Sequence, residues 1–193
     1  MGSEPGAAAE LASRMLSPWV VDEGFRSGLF LVRQPDAERW HAFAQALVAE
    51  LQRLGAVVMF VDMAELGAAA PGTLQQELRS KLFALREQFS PMETVRRRDP
   101  GADTLSDLIL SIVDLSRSHM VLIFDHAGRL RGQTGEHMLK ALKAARDAVN
   151  VRPDANRKFF LIAVDTDTSA VNELARDPAQ AFLGATVMEL MGP

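Results

Sequence analysis

The sequence contains no cysteine, which excludes disulfides, thiolate catalysis and thiolate-bound zinc in one step. No uninterrupted apolar run approaches the ~18–20 residues that a membrane-spanning helix needs, so no membrane association is expected. The opening Met1–Glu10 lacks the charged-then-apolar order of a signal peptide, and a soluble, cytoplasmic protein is expected. Neither sign of charge dominates: 21 Lys and Arg against 25 Asp and Glu leave 21 − 25 = −4. Without a basic field the chain has no general attraction for nucleic acid or anionic lipid. What it does have is apolar substance. Hydrophobic residues make up 48% of 193 residues (21.1 kDa), enough for one sizeable core and too much for intrinsic disorder.

Five short runs rich in Val, Ile, Leu, Met and Phe stand out: Gly28–Val32, Ala56–Val61, His119–Asp125, Lys158–Val164 and a weaker Ala185–Leu190. Runs without period-2 alternation read as strands covered on both faces. Helical spacing separates them. Apolar residues recur every three or four positions in Glu38–Leu54, which Gly55 stops, and again in Thr73–Phe89, Thr104–Ser116 and Thr134–Val149. Thr104 and Asp107 are spaced for a capping box, and Ser169–Ala175 is a shorter helix expected to be capped by Thr168 or Ser169. This alternation predicts a three-layer α/β domain: a parallel sheet of about five strands, flanked by helices through right-handed crossovers. The domain is expected over residues 27-193, with residues 1-26 an N-terminal helical or flexible segment. Within that segment the Ala- and Gly-rich Met1–Leu16 reads as one frayed helix. Pro91–Asp103, with Arg96, Arg97 and Arg98 beside Asp99, reads as the most loop-like interior stretch, a solvated loop.

Ligands of an open parallel sheet bind beyond the C-terminal ends of its strands, here after Val32, Phe124 and Val164. Val121-Leu122-Ile123-Phe124-Asp125 is an apolar run ending in an acid, the arrangement by which a Walker B strand holds Mg²⁺. A carboxylate that caps the following turn is the equal alternative. Taken in order, "HMVLIFDHAGRL", "GEHMLKALKAARDAVN", "KFFLIAVDTDTSAVNEL" and "DPAQAFLGATVMEL" resemble the later part of the P-loop NTPase core of bacterial AAA-type ATPases. "SGLFLVRQPDAERWHAFAQALVAELQRLGAVVMFVDM" is similar to the opening strand, helix and second strand of that core. The resemblance covers Ser27 to Leu190 and implies the strand order 5-1-4-3-2.

The departures from the family pattern carry the functional reading. After its first strand the family places a Gly-rich loop ending in Gly-Lys-Ser/Thr, whose bare amides and Lys wrap the phosphates. Here the chain runs Val32-Arg33-Gln34-Pro35-Asp36-Ala37-Glu38-Arg39-Trp40, with no Gly, no Lys and no Ser or Thr. Pro35 lacks an amide, and Asp36 is placed to cap the next helix with its own carboxylate. Asp36 and Glu38 also put negative charge where a polyphosphate would lie. His126 stands where the family has the Glu that polarises the attacking water. Val164, followed by Asp165, Thr166 and Asp167, stands where the family offers a Thr or Asn to the γ-phosphate; these read as a solvated turn capping the next helix.

The expected function is therefore a catalytically inactive ATPase-like scaffold that acts through protein–protein interaction. Its partner is expected to be another protein, an ATPase paralogue or a second copy. On this reading Arg33, Gln34, Pro35, Asp36 and Arg39 are a vestigial phosphate-loop region, Asp125 and His126 are vestigial catalytic positions, and no cofactor is expected. Subunits of the family pack side by side, one offering an arginine to its neighbour's nucleotide. The resemblance makes Arg152 and Arg157 the candidate trans arginines. The alternative is a weak nucleotide-binding ATPase or GTPase using ATP and Mg²⁺, with Arg33 and Arg39 in place of the Lys, His126 as base and Asp125 on the metal. Small-metabolite binding at the same rim is a third possibility. The four histidines His41, His119, His126 and His137 fit no metal-binding spacing, so no other metal site is expected. Met59, Met120 and Met138 fall on core positions.

Overall fold

In a computed structural model that describes residues 4–16, 29–33, 36–66, 70–89, 104–130, 133–152, 157–176, 182 and 184–189, the five apolar runs form one all-parallel sheet. The strands are β1 (Leu29–Arg33), β2 (Val57–Asp62), β3 (Met120–Asp125), β4 (Phe159–Asp165) and β5 (Thr186–Glu189). They lie in the order β2-β3-β4-β1-β5, which is 5-1-4-3-2 read from the other edge. The central strands are the most apolar: Met120–Phe124 and all of β4 are buried. Each Leu, Ile or Phe buried there is worth about 1.5–3 kcal/mol over an exposed one. Unbroken apolar stretches belong in the middle of such a sheet because helices cover both faces.

The helices are α1 (Glu4–Leu16), α2 (Ala37–Arg53), α3 (Met63–Leu66), α4 (Ala70–Phe89), α5 (Leu105–Ser116), α6 (Gln133–Asn150) and α7 (Thr168–Arg176), and a 3-10 turn spans Ala127–Leu130. Side chains on alternate strand positions feed two cores. Phe30, Val32, Val58, Val121, Ile123 and Ile162 pack against α1 and α2, through Trp40, Phe43, Leu47 and Leu51 of the latter. Leu31, Met59, Leu122, Phe124 and Leu161 face α4, α5, α6 and α7. Met59, Met120 and Met138 all lie in this second core.

Local chemistry sets the helix ends. Asp36 caps α2, its Oδ1 accepting from the amides of Glu38 (3.0 Å) and Arg39 (3.1 Å). Gly55 ends the helix at φ +87°, which lets its amide reach the Gln52 carbonyl and that of Ala56 the Leu51 carbonyl. Thr104 and Asp107 form the capping box of α5.

Two expectations are corrected. Met1–Leu16 reads as a frayed helix, yet Ala8, Leu11, Ala12 and Met15 of α1 are buried against α2. The i, i+4 alanines leave room for close helix approach, and the larger pair fills the remaining space. The cap of α7 is neither Thr168 nor Ser169 but Asp167, as expected of the turn before it; its Oδ1 accepts from the Ser169 amide (2.8 Å) and hydroxyl (2.7 Å). A carboxylate answers a helix N-terminus with a full charge as well as an acceptor. Short helix α3 had no counterpart in the periodicity; it starts where the Ala64 amide donates to Asp62. Gln34, Pro35 and the Arg96–Arg98 run lie outside the described residues. Among the described residues no helix is long and apolar enough to cross a membrane.

Candidate functional site at the sheet rim

Parallel register brings four strand ends to one rim. It places Asp62 beside Asp125 and Arg33 beside Asp165. His126 follows β3 with φ +53°, the left-handed region, and there its amide donates to Asp125 Oδ1 (2.8 Å). Its ring Nδ1 lies 2.9 Å from Asp62 Oδ1 and 3.8 Å from Asp125 Oδ1. An ionised carboxylate only accepts, so the proton of this bond sits on Nδ1. The imidazole thus bridges two acids from adjacent strands, with its side chain 48% exposed and Asp125 only 14%.

Asp62 was not among the residues singled out from the sequence, although a signal existed. Val57–Asp62 is an apolar run ending in an acid, the same pattern that marks Val121–Asp125. The expectation for Asp165 needs correction. Thr166 and Asp167 are exposed as a solvated turn should be, but Asp165 is buried, at 9% exposure. Strand β4 runs one residue further than its apolar stretch. The Asp165 carboxylate accepts from the Gly128 amide (2.5 Å) in the 3-10 turn and from the Asp167 amide (2.8 Å). It therefore ties the turn behind His126 to the end of β4. Gly135 completes the clamp. A Cβ there would sit 1.9 Å from the Leu130 carbonyl oxygen, so only glycine lets α6 begin this close to the turn.

Arg33 is half-buried at the end of β1 and donates through Nη2 to Asn172 Oδ1 on α7. Among the described residues its Nε is buried without a hydrogen-bond partner. Asn172 lies 139 residues away, and nothing in the sequence pointed to it. Arg39 is half-buried in the first turn of α2.

The two other candidate arginines occupy the opposite end of the sheet. Arg152 follows α6 and pairs with Asp114 of α5 at 2.6 Å, with 39% of its side chain exposed. Arg157 precedes β4 and places its charge near His119, ahead of β3. Nδ1 of His119 accepts from the Lys158 amide (3.0 Å), and its ring lies 5.9 Å from that of Phe160. Burial lowers the His119 pKa, with the charges of Lys158 and Arg157 acting in the same direction. Nδ1 can accept only while unprotonated. His41, bonded to Gln45 at 2.8 Å, and His137 stand on exposed helix faces. Among the described residues no group of three His, Cys, Asp or Glu is placed to hold a metal ion.

No family model and no curated protein matches the sequence. Among solved structures the fold is similar to that of the Walker-type ATPase of Pyrococcus abyssi, with a TM-score of 0.60 and 16% identity. The match covers 94% of this chain and 52% of that protein, so the chain spans about half its neighbour's length. The five-stranded parallel sheet with helices on both faces is thus a P-loop NTPase-like fold.

Proposed function

We propose that the chain is a catalytically inactive relative of the AAA-type ATPases that works as a scaffold through protein–protein contact. One observation carries this reading: Asp36 Oδ1 takes the amides of Glu38 and Arg39 at the mouth of β1. Those first-turn amides, with the positive end of the helix dipole, are what a phosphate would use. A carboxylate already in that place removes the donors and adds like charge. The described residues therefore do not fit a triphosphate at this corner, and no catalytic step is assigned to one.

The rest of the rim supports the same conclusion. Arg33 is turned toward Asn172, and His126 is engaged by Asp62 rather than left to orient a water. Arg152 and Arg157 stand at the end of the sheet away from this rim, which leaves them for a neighbour rather than for a ligand bound here. The Arg152–Asp114 pair is partly exposed, and exposed pairs hold by only about 0–1 kcal/mol, so its release toward an anionic partner costs little. The partner favoured by this arrangement is an active ATPase paralogue.

A nucleotide thermal-shift panel with and without Mg²⁺ tests the reading. The scaffold gives no upshift with ATP or GTP. A ligand held at ~100 times its dissociation constant would add ~2.7 kcal/mol, so such an upshift would refute it. The Arg33 Nε, without a partner among the described residues, favours a weak nucleotide site instead. In that case Arg33→Ala would abolish the upshift.

A further inference from the structure

Strand β2 ends the sheet, and among the described residues it pairs with β3 alone. A groove lies on each side of this edge. On one face His41, Ala44 and Val48 of α2 and Phe60 of β2 line a mainly apolar groove of about 270 Å³. On the other, Met59 of β2 meets Glu77, Ser80 and Lys81 of α4 around a groove of about 580 Å³. Phe60 is 39% exposed, and Phe83, beside the groove-lining stripe of α4, is 62% exposed. The edge strand Val57–Asp62 carries no proline and no charge before its last residue, so nothing in it deters a further strand.

We propose that this edge is a self-association surface, on which a second copy of the chain adds its own β2 antiparallel to the first and makes one continuous sheet. Charge selects a second copy as the occupant. Glu77 and Lys81 flank the middle of the stripe Thr73–Ala84 that lines the groove, and no ion pair joins either of them within the described residues. A two-fold axis perpendicular to the sheet runs α4 antiparallel to its mate. Glu77 then meets the second copy's Lys81, and Lys81 its Glu77, a pattern complementary to itself. The same axis placed at Phe60 sets the two Phe60 rings opposite each other on the α2 face, because directly opposed residues of antiparallel strands share a face. The α2-face groove closes over that pair, and the α4-face groove closes between the two α4 helices. The inference is independent of whether the rim binds nucleotide.

Sedimentation of the full chain tests it. The expected particle has twice the 21.1 kDa chain mass and dissociates on dilution. Phe60→Asp leaves the circular dichroism spectrum unchanged and yields a monomer. Glu77→Lys and Lys81→Glu each break two symmetric pairs and raise the dimer dissociation constant about tenfold. Combined, the two reversals recreate the pattern and restore dimerisation. A chain that stays monomeric through the micromolar range, as it would if only a different protein occupied the edge, overturns the proposal. So does a dimer indifferent to Phe60→Asp, or a double reversal no tighter than the singles.

Discussion

Replacing Asp165 tests how the rim is held together. Its carboxylate accepts from the Gly128 and Asp167 amides at 2.5 and 2.8 Å while only 9% exposed. A hydrogen bond to a charged group contributes about 1.5–3 kcal/mol. The Gly128 amide loses that contribution in full in Asp165→Ala. The Asp167 backbone lies in an exposed turn where water replaces part of it. The expected cost is about 2–4 kcal/mol, a fall in melting temperature of about 4–16 °C for a chain of this size. Asp165→Asn retains one carbonyl acceptor and should lose about half as much. Urea unfolding followed by circular dichroism reads both variants, with unchanged slopes marking two-state comparisons. An alanine variant within about 0.5 kcal/mol of the wild type would refute the role assigned to this carboxylate.

Gly135→Ala sets a helix-propensity gain of about 1 kcal/mol against a Cβ driven into a backbone carbonyl. The clash at 1.9 Å must move the 3-10 turn, so a thermal melt should register net destabilisation of about 2 kcal/mol or more. For His119 the folded pKa lies below the ordinary value of 6.5, so the folded chain binds fewer protons than the unfolded one as acid is added. Its stability is therefore complete above pH 6.5 and falls as pH drops below it. His119→Gln keeps an acceptor for the Lys158 amide without titrating, and the difference in urea midpoint between pH 8 and pH 5 should shrink in that variant. Asp36→Ala removes the cap of α2 and should cost about 1 kcal/mol in the same assay, whereas Asp36→Ser should recover most of the loss.

Much of this architecture is readable along the chain because the signals are local. Apolar runs announced all five strands, with no end displaced by more than one residue. The caps at Asp36 and Thr104 and the stop at Gly55 use residues within one turn of the backbone groups they satisfy. The sequence offered both the Asp165–Asp167 turn and Thr168 or Ser169 as the cap of α7, and the carboxylate of Asp167, the stronger acceptor, took the place. The site was less legible. Asp125 and His126 were found from a strand that ends in an acid, but their partner Asp62 lies 64 positions from His126.

By itself, then, the sequence determined which segments become strands and helices, the missing phosphate-loop glycines and lysine, and the acid at the head of α2. Each of these depends on backbone geometry or on neighbours a few residues apart. Only the folded chain decided that Asp62 would share a rim with His126, that Asp165 would be buried under Gly128, that Arg33 would turn to Asn172 and that β2 would be left at an edge. Those outcomes follow from strand order and register, and register is settled by packing two cores at once, which no local stretch of sequence encodes.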